Sequence, residues 1–507
     1  MKSIPNIARQ PWYPLLLCAY PALALLSFNI GEARPAVGVR PMLVSLAGGL
    51  ALWLLFRLLM RDAHRAAFAS LLWLVLFFSY GHVFTYLQDK PVFGLDLART
   101  ETLAPLWIVM AALALFAATR PRVRFEAWAS PLNLITAALV VYPLAQVVLY
   151  QVEIQNMQDG AVEAPVVVTG ERPDIYYIIL DSYTRADTLK AAYGYDNSDF
   201  LSGLETMGFE VAECGMSNYL RTELSLASSL NMTYLTSDLD PRINPESQAR
   251  SPLWRLIRDS AVREYLEARG YKTMAFETGY PWSELDDADV YLQPDPLRGG
   301  LTEFETLFLQ TTAVRILQDE GLVNFREAEF NRYRERTSFA LETLESLPHM
   351  DGPKFVFVHL IVPHPPFVFA EDGARTDALS FLNDKNQYPA DKYADGYTMQ
   401  LTFINREITR IVQAIIEGSD VPPVIVIQGD HGPWIQTRER RLTILNAYYL
   451  PGHGDEIYET ITPVNTFRVI LNAYFGEDFD LLEDHSYFSP VPEQYDFTEI
   501  PNRCGLR

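Results

Sequence analysis

The sequence predicts a membrane-spanning bundle of five helices followed by a three-layer α/β/α domain built on a mostly parallel sheet. Three observations lead there. Five apolar stretches crowd the first 150 residues, short apolar runs alternate with amphipathic helical patterns after about residue 173, and the two parts differ in charge. Residues 1–150 hold 12 Lys and Arg against 6 Asp and Glu, which leaves 29 against 57 for residues 151–507 out of totals of 41 and 63. The second part therefore carries a net charge of −28. Such a surface excludes nucleic acid as a partner, because phosphate-backbone binding needs clustered Lys and Arg.

The apolar stretches cover about residues 12–30, 41–60, 66–87, 103–118 and 131–150, each near the ~20 residues that cross a bilayer. Their connectors alternate in charge. Lys2 and Arg9, then Arg57, Arg61 and Arg65, then Arg120, Arg122 and Arg124 fall on one side, whereas the 32–40 and 89–101 loops are mixed. Basic connectors stay cytoplasmic, so the amino terminus is expected inside and, after an odd number of crossings, everything beyond residue 150 outside. The expectation is a multi-pass protein of the cytoplasmic (inner) membrane with an extracytoplasmic second part. There Cys214 and Cys504 are free to form a disulfide, which sequence leaves undecided. Asn231-Met232-Thr233 matches a glycosylation sequon, a triplet that also occurs by chance.

A polar, acidic linker over residues 151–172 precedes the second domain, 173–507. Strands are expected at 175–180, 271–276, 355–362, 424–427 and 446–450, and amphipathic helices at 253–268, 304–347 and 393–416. Strands alternating with helices imply a mostly parallel sheet covered on both faces.

Three strands end in residues that can do chemistry. The first runs into Asp181-Ser182, the third contains His359 and leads to Pro363-His364-Pro365, and the fourth ends in Gly429-Asp430-His431-Gly432. Strand ends of an open parallel sheet converge at one edge, where ligands bind. A carboxylate beside an imidazole is half of a divalent-metal site, and the flanking glycines let the chain turn sharply. Between the first two strands, Leu224, Leu226, Ala227 and Leu230 suit a short helix with Thr222 near its start, where unpaired N–H groups and the helix dipole favour phosphate. Each residue also has a structural reading: Thr222 as an N-cap, Asp181 and Ser182 as caps, His359 as a satisfied core histidine, Arg221 as a surface charge.

The ordered set of Asp181 after a strand, Thr222 opening a helix, His364 in a His-Pro-Pro loop and Gly429-Asp430-His431-Gly432 resembles the alkaline phosphatase/sulfatase superfamily. With five preceding apolar segments it is most similar to the membrane-anchored phosphoglycerol (lipoteichoic-acid-synthase-like) and phosphoethanolamine transferases. The resemblance implies a sulfatase-like domain in which Asp181, Asp430 and His431 hold one divalent metal, with Thr222 as fourth ligand and nucleophile. It implies that His364, Arg221 and His453 neutralise phosphate or protonate the leaving group. Zn²⁺ or Mn²⁺ suits the donor set best, Mg²⁺ and Ca²⁺ less so, and a second metal requires His359, His364 or His453.

The expected function is a metal-dependent phosphotransferase or phosphodiesterase acting on lipid-linked or envelope glycan phosphoesters at the bilayer surface. The alternatives are a sulfuric-ester or phosphate-monoester hydrolase, and a catalytically inactive envelope assembly partner. Sulfatases proper resemble one another in a Cys/Ser-x-Pro-x-Arg motif, and Cys214-Gly215-Met216-Ser217-Asn218 lacks its Pro and Arg. The phosphoglycerol transferases have Glu where Asp181 stands.

Overall fold

The computed structural model describes residues 9–30, 33, 35–88, 90, 97–120, 123–156, 172–295, 300–377, 389–433 and 436–504. Residues 157–171 of the expected linker lie outside the described residues, and its first six extend the last amino-terminal helix. The chain forms two compact units. One comprises residues 1–161 together with 300–329, the other residues 162–299 and 330–507.

In the helical unit, α1 (Tyr13–Phe28), α2 (Val39–Met60), α3 (Ala63–Leu87), α4 (Thr100–Ala118) and α5 (Ala129–Asn156) follow one another. Four of the five are long and apolar enough to cross a membrane. Helix α1 has 16 residues, ~24 Å of rise, and ends early because the Asn29 side chain donates to the Leu25 carbonyl at 2.8 Å and closes the last turn. Its Tyr13, Leu17, Cys18, Ala22 and Leu26 are buried among neighbouring helices. By contrast Leu58, Ile108 and Leu134 on α2, α4 and α5 are exposed, as side chains facing hydrocarbon would be.

Residues 300–329 pack entirely within this unit. Glu303–Gln310 is a helix started by a capping box between Thr302 and Glu305, and Arg315–Asp319 is a second short helix. The expected single amphipathic helix over 304–347 is thus three helices, the third being Phe325–Leu344. Its apolar spacing is shared by segments that pack on different surfaces.

The α/β unit is built on a sheet ordered β2-β7-β6-β1-β5-β3-β4, with β1 Ile175–Leu180, β2 Glu210–Val211, β3 Lys272–Phe276, β4 Val290–Leu292, β5 Lys354–Leu360, β6 Val424–Gly429 and β7 Asn446–Tyr449. Strands β6, β1, β5, β3 and β4 are parallel, and β7 pairs antiparallel with both β6 and β2. All six residues of β1 and of β6 are buried, which requires cover on both faces. Alternation divides the strand between two cores: Tyr176, Ile178 and Leu180 pack with the helices Phe325–Leu344 and Ala390–Gly418, while Ile175, Tyr177 and Ile179 pack with Thr222–Leu230 and Pro463–Phe475. β2 and β4, two and three residues long and not fully buried, carry too little pattern to be read from sequence. The expected helix 253–268 is broken at Ser260, whose hydroxyl caps a new helix by accepting from Arg263 N.

Asn231 of the sequon donates to the Ala227 and Leu256 carbonyls and accepts from Ala261 N, so its amide is fully used inside the fold. Cys214 and Cys504 form a disulfide across 290 residues, with Cα atoms 5.2 Å apart. Replacing both with Ser should destabilise the α/β unit by up to about 5 kcal/mol, because so long a loop restricts the unfolded chain strongly. Urea denaturation followed by tryptophan fluorescence, with and without reductant, reads this. A double variant as stable as the reduced parent and as the oxidised one contradicts it.

Candidate metal centre and nucleophile

The register Leu180↔Gly429 between neighbouring strands carries Asp181 and Asp430 off the same sheet edge side by side. Asp181, Asp430 and His431 are all buried, and one donor atom from each lies within 4.8 Å of the others. Tight turns aim these side chains. Ser182 takes a left-handed conformation, φ 64°, uncommon for a residue with a Cβ. Gly429 and Gly432 serve by close approach rather than by a left-handed turn. A Cβ on Gly429 would stand 2.2 Å from the Tyr183 carbonyl oxygen, and one on Gly432 2.8 Å from that of Arg440.

Hydrogen bonds fix what each donor atom presents. Asp430 Oδ1 accepts from Ser182 N at 3.0 Å and His431 N at 2.9 Å, whereas the buried Oδ2 has no hydrogen-bond partner. His431 Nδ1 lies 3.0 Å from the Gly432 carbonyl, so Nδ1 carries the proton and Nε2 offers its lone pair. That Nε2 is 3.5 Å from Asp430 Oδ2 and 3.9 Å from Asp181 Oδ1. An orphaned carboxylate oxygen, a second buried carboxylate and an imidazole lone pair facing one another fit a divalent cation.

Thr222 is the first residue of its helix, and Arg221, not Thr222, occupies the N-cap position. The Thr222 hydroxyl is therefore free of capping, and its Oγ1 lies 3.4 Å from His431 Nε2. It is 7% exposed, close to water but screened from it. Thr222, Asp181, Asp430 and His431 thus gather in one place.

The histidines divide. His359, in β5, donates or accepts at Nδ1 with Ser283 Oγ at 2.8 Å and turns Nε2 towards Asp181 Oδ2 at 3.4 Å. His364 sits in the loop after β5, its backbone N–H donating to the Asp181 carbonyl at 3.1 Å. Burial works to raise the Asp181 carboxyl, but the charge of His364 and the close approach of the His359 imidazole outweigh it and hold Asp181 below the usual carboxylate range. His453 is not brought to this edge. It follows β7, whose antiparallel register (Ile425↔Tyr449, Gln428↔Asn446) delivers it to the edge where β6 begins. There it bonds Glu456 at 2.8 Å and packs edge-on to Tyr474.

Arg221 anchors one guanidinium nitrogen on the Pro490 carbonyl at 2.8 Å. Arg441, in the helix Arg438–Leu442 after the Asp430-His431 turn, reaches the Leu220 carbonyl at 3.4 Å, and its own carbonyl accepts from Gly432 N. It bridges the metal-ligand turn and the residue before Arg221. Burial lowers the pKa of Arg441, and the nearby charge of Arg221 lowers it further. Its buried Nε has no partner. Among the described residues no carboxylate forms an ion pair with either guanidinium. Sequence reasoning missed Arg441, although Arg438, Arg440 and Arg441 cluster in an otherwise acidic half. Beside His359 a shallow, water-sized depression lies at the ends of β3 and β5, lined also by Glu277, Thr278, Arg336 and Thr337.

No family model matches the chain, and no curated protein matches it. Its neighbours among solved structures include phosphoethanolamine transferases, a lipoteichoic acid synthase and a protein of Bacteroides fragilis named as a sulfatase. The C-terminal periplasmic domain of EcEptC from Escherichia coli, in complex with Zn, is 11% identical, with 68% of this chain and 100% of that chain covered at a TM-score of 0.45. Lipooligosaccharide phosphoethanolamine transferase A of Neisseria meningitidis, an integral membrane protein, is 12% identical, covering 92% of this chain and 95% of that one at 0.40. The lipoteichoic acid synthase LtaP of Listeria monocytogenes is 14% identical, covering 64% and 77% at 0.36.

Proposed function

We propose that this chain is a membrane-anchored, metal-dependent member of the alkaline phosphatase/sulfatase superfamily, a phosphotransferase or phosphodiesterase with Thr222 as nucleophile. The observation that carries this is the uncapped Thr222 hydroxyl 3.4 Å from His431 Nε2, beside the buried pair of carboxylates with its orphaned oxygen. A divalent cation held by Asp181, Asp430, His431 and Thr222 would lower the hydroxyl pKa and offset charge on the phosphoryl oxygens.

This chain's residues supply the rest. The Thr222 hydroxyl gives up its proton to solvent, its Oγ attacks phosphorus, an Oγ–P bond forms, and the bond from phosphorus to the leaving oxygen breaks. The half-exposed His364 delivers the proton that oxygen takes up. An acceptor hydroxyl or water then attacks the phosphothreonine, breaking Oγ–P and regenerating Thr222. Arg221 and Arg441, lacking carboxylate partners, stand beside the nucleophile's helix as counter-charges for phosphate. The substrate class is a lipid-linked or envelope glycan phosphoester, which a membrane-tethered site meets at the bilayer surface. Cys214 is held in a disulfide and is not free to serve as an oxidised sulfatase nucleophile, which favours phosphate over sulfate esters.

The amino terminus is cytoplasmic, the chain crosses five times, and the α/β unit lies outside. Support comes from the basic connectors, from the disulfide, and from residues 300–329, which touch the ends of the helices that this topology turns outward. They meet Leu26 of α1, Arg40 of α2, Phe77 to Phe84 of α3, Thr100 of α4 and Val147 of α5.

Thr222→Ala should cut turnover at least about a thousand-fold while folding and metal content persist. Activity assays beside metal analysis check this, and retained turnover removes the nucleophile assignment. With bis-aryl phosphate, aryl phosphate and aryl sulfate as substrates, the diester should be cleaved fastest; preference for the sulfate defeats the reading. Zinc at a hundredfold excess over its Kd should stabilise the metal-stripped protein by about 2.7 kcal/mol. In a thermal-unfolding assay that gain should vanish in Asp430→Asn, and an equal gain in the variant contradicts the ligand set.

A further inference from the structure

Between β4 and β5 the chain leaves the α/β unit, spends residues 300–329 inside the helical unit, and returns. Those residues are held there by contacts of three kinds. Phe304 packs with Leu26 and Val147, and the Phe308 ring packs against Phe78, centroids 6.2 Å apart. Glu305, nearly buried, receives both arms of the Arg40 guanidinium, and Asp319 accepts from Thr100 at 2.7 Å. Arg315 lies over the Phe84 ring, 3.9 Å from its centroid.

The third kind is backbone to backbone. Ala313 N donates to the Phe77 carbonyl at 2.8 Å, and Gly81 N donates to the Thr311 carbonyl at 3.0 Å. Phe77 C=O and Gly81 N–H are the two groups that an α-helix pairs with each other one turn apart, and here both reach the same three-residue stretch. Only glycine permits the approach: a Cβ at position 81 would stand 2.1 Å from the Gln310 oxygen and 2.5 Å from the Thr311 carbonyl carbon.

We propose that residues 300–329 form a second membrane anchor for the α/β unit, holding by contact with the five-helix bundle rather than by crossing the bilayer. The chain passes between the units three times, so cutting the linker alone leaves the α/β unit attached to the helices through this insert. The inference rests on α2–α5 lying in a bilayer and is independent of the chemistry assigned to Thr222.

The test uses full-length protein in membrane vesicles, with a site-specific protease sequence placed within residues 157–171. After complete cleavage at high salt, the carboxyl-terminal fragment should sediment with the membranes. In Gly81→Leu, whose side chain has no room beside Thr311, the cleaved fragment should move to the supernatant, while the uncleaved variant still sediments. Arg40→Glu should release it in the same way, and Arg40→Glu with Glu305→Arg should restore retention, which separates loss of this contact from misfolding. Should the cleaved parent fragment appear in the supernatant, the anchor does not exist. Should a variant with residues 301–328 replaced by a short glycine-serine linker remain with the membranes after cleavage, retention comes from elsewhere and the proposal is likewise overturned.

Discussion

Asp181 and Asp430 stand at the ends of two neighbouring parallel strands, almost wholly removed from water, and like charges so placed repel strongly unless donors and cations surround them. Much of the sheet edge is arranged around that requirement. Two backbone N–H groups converge on one oxygen of Asp430, the strained Ser182 turn supplies one of them, and His359, His364 and His431 ring Asp181. Glycine at 429 lets the Tyr183 backbone close over the pair. What this ring leaves uncovered is Asp430 Oδ2, and the Thr222 hydroxyl and the His431 lone pair face the same space. The layout concentrates negative charge where a cation gains most and leaves the surroundings with guanidiniums for a second anion.

The polar layer beneath the site keeps those strand ends in place. Tyr177, in the middle of β1, donates to Gln428 of β6 at 2.8 Å, and Gln428 in turn donates to Asn446 of β7 at 2.7 Å. Ser217, three residues past Cys214, donates to the Asp430 carbonyl at 2.6 Å and meets Ser225 of the helix that begins with Thr222 at 2.9 Å. These buried bonds couple that helix to the turn that carries Asp430 and His431, so a shift in one is felt in the other.

Much of this was legible because it is written in short-range pattern. Four β-branched residues before Gly429 name a doubly buried strand, and the chemistry-bearing residues sit where such strands stop. The placement of Asp181, Thr222, Asp430 and His431 at one edge follows from parallel direction, which alternation with helices implies. Direction failed for β7: periodicity is the same for either sense, and the antiparallel pairing sends His453 to the far edge. Arg441 escaped because its role depends on a tertiary approach to Leu220, and residues 300–329 escaped because an amphipathic face does not say which surface covers it.

The bridge between Cys214 and Cys504 bears on biogenesis. A polypeptide made from its amino terminus presents Cys214 long before Cys504 is added, since 290 residues separate them. The earlier thiol is therefore without its native partner through most of synthesis, while Ser217 and the helix that opens with Thr222, just downstream of it, still lack the Asp430 turn they bond to. Assembly of the Asp181–Asp430 edge and closure of the bridge are consequently late events of chain synthesis. Incomplete chains carry neither, so both belong to the finished molecule alone.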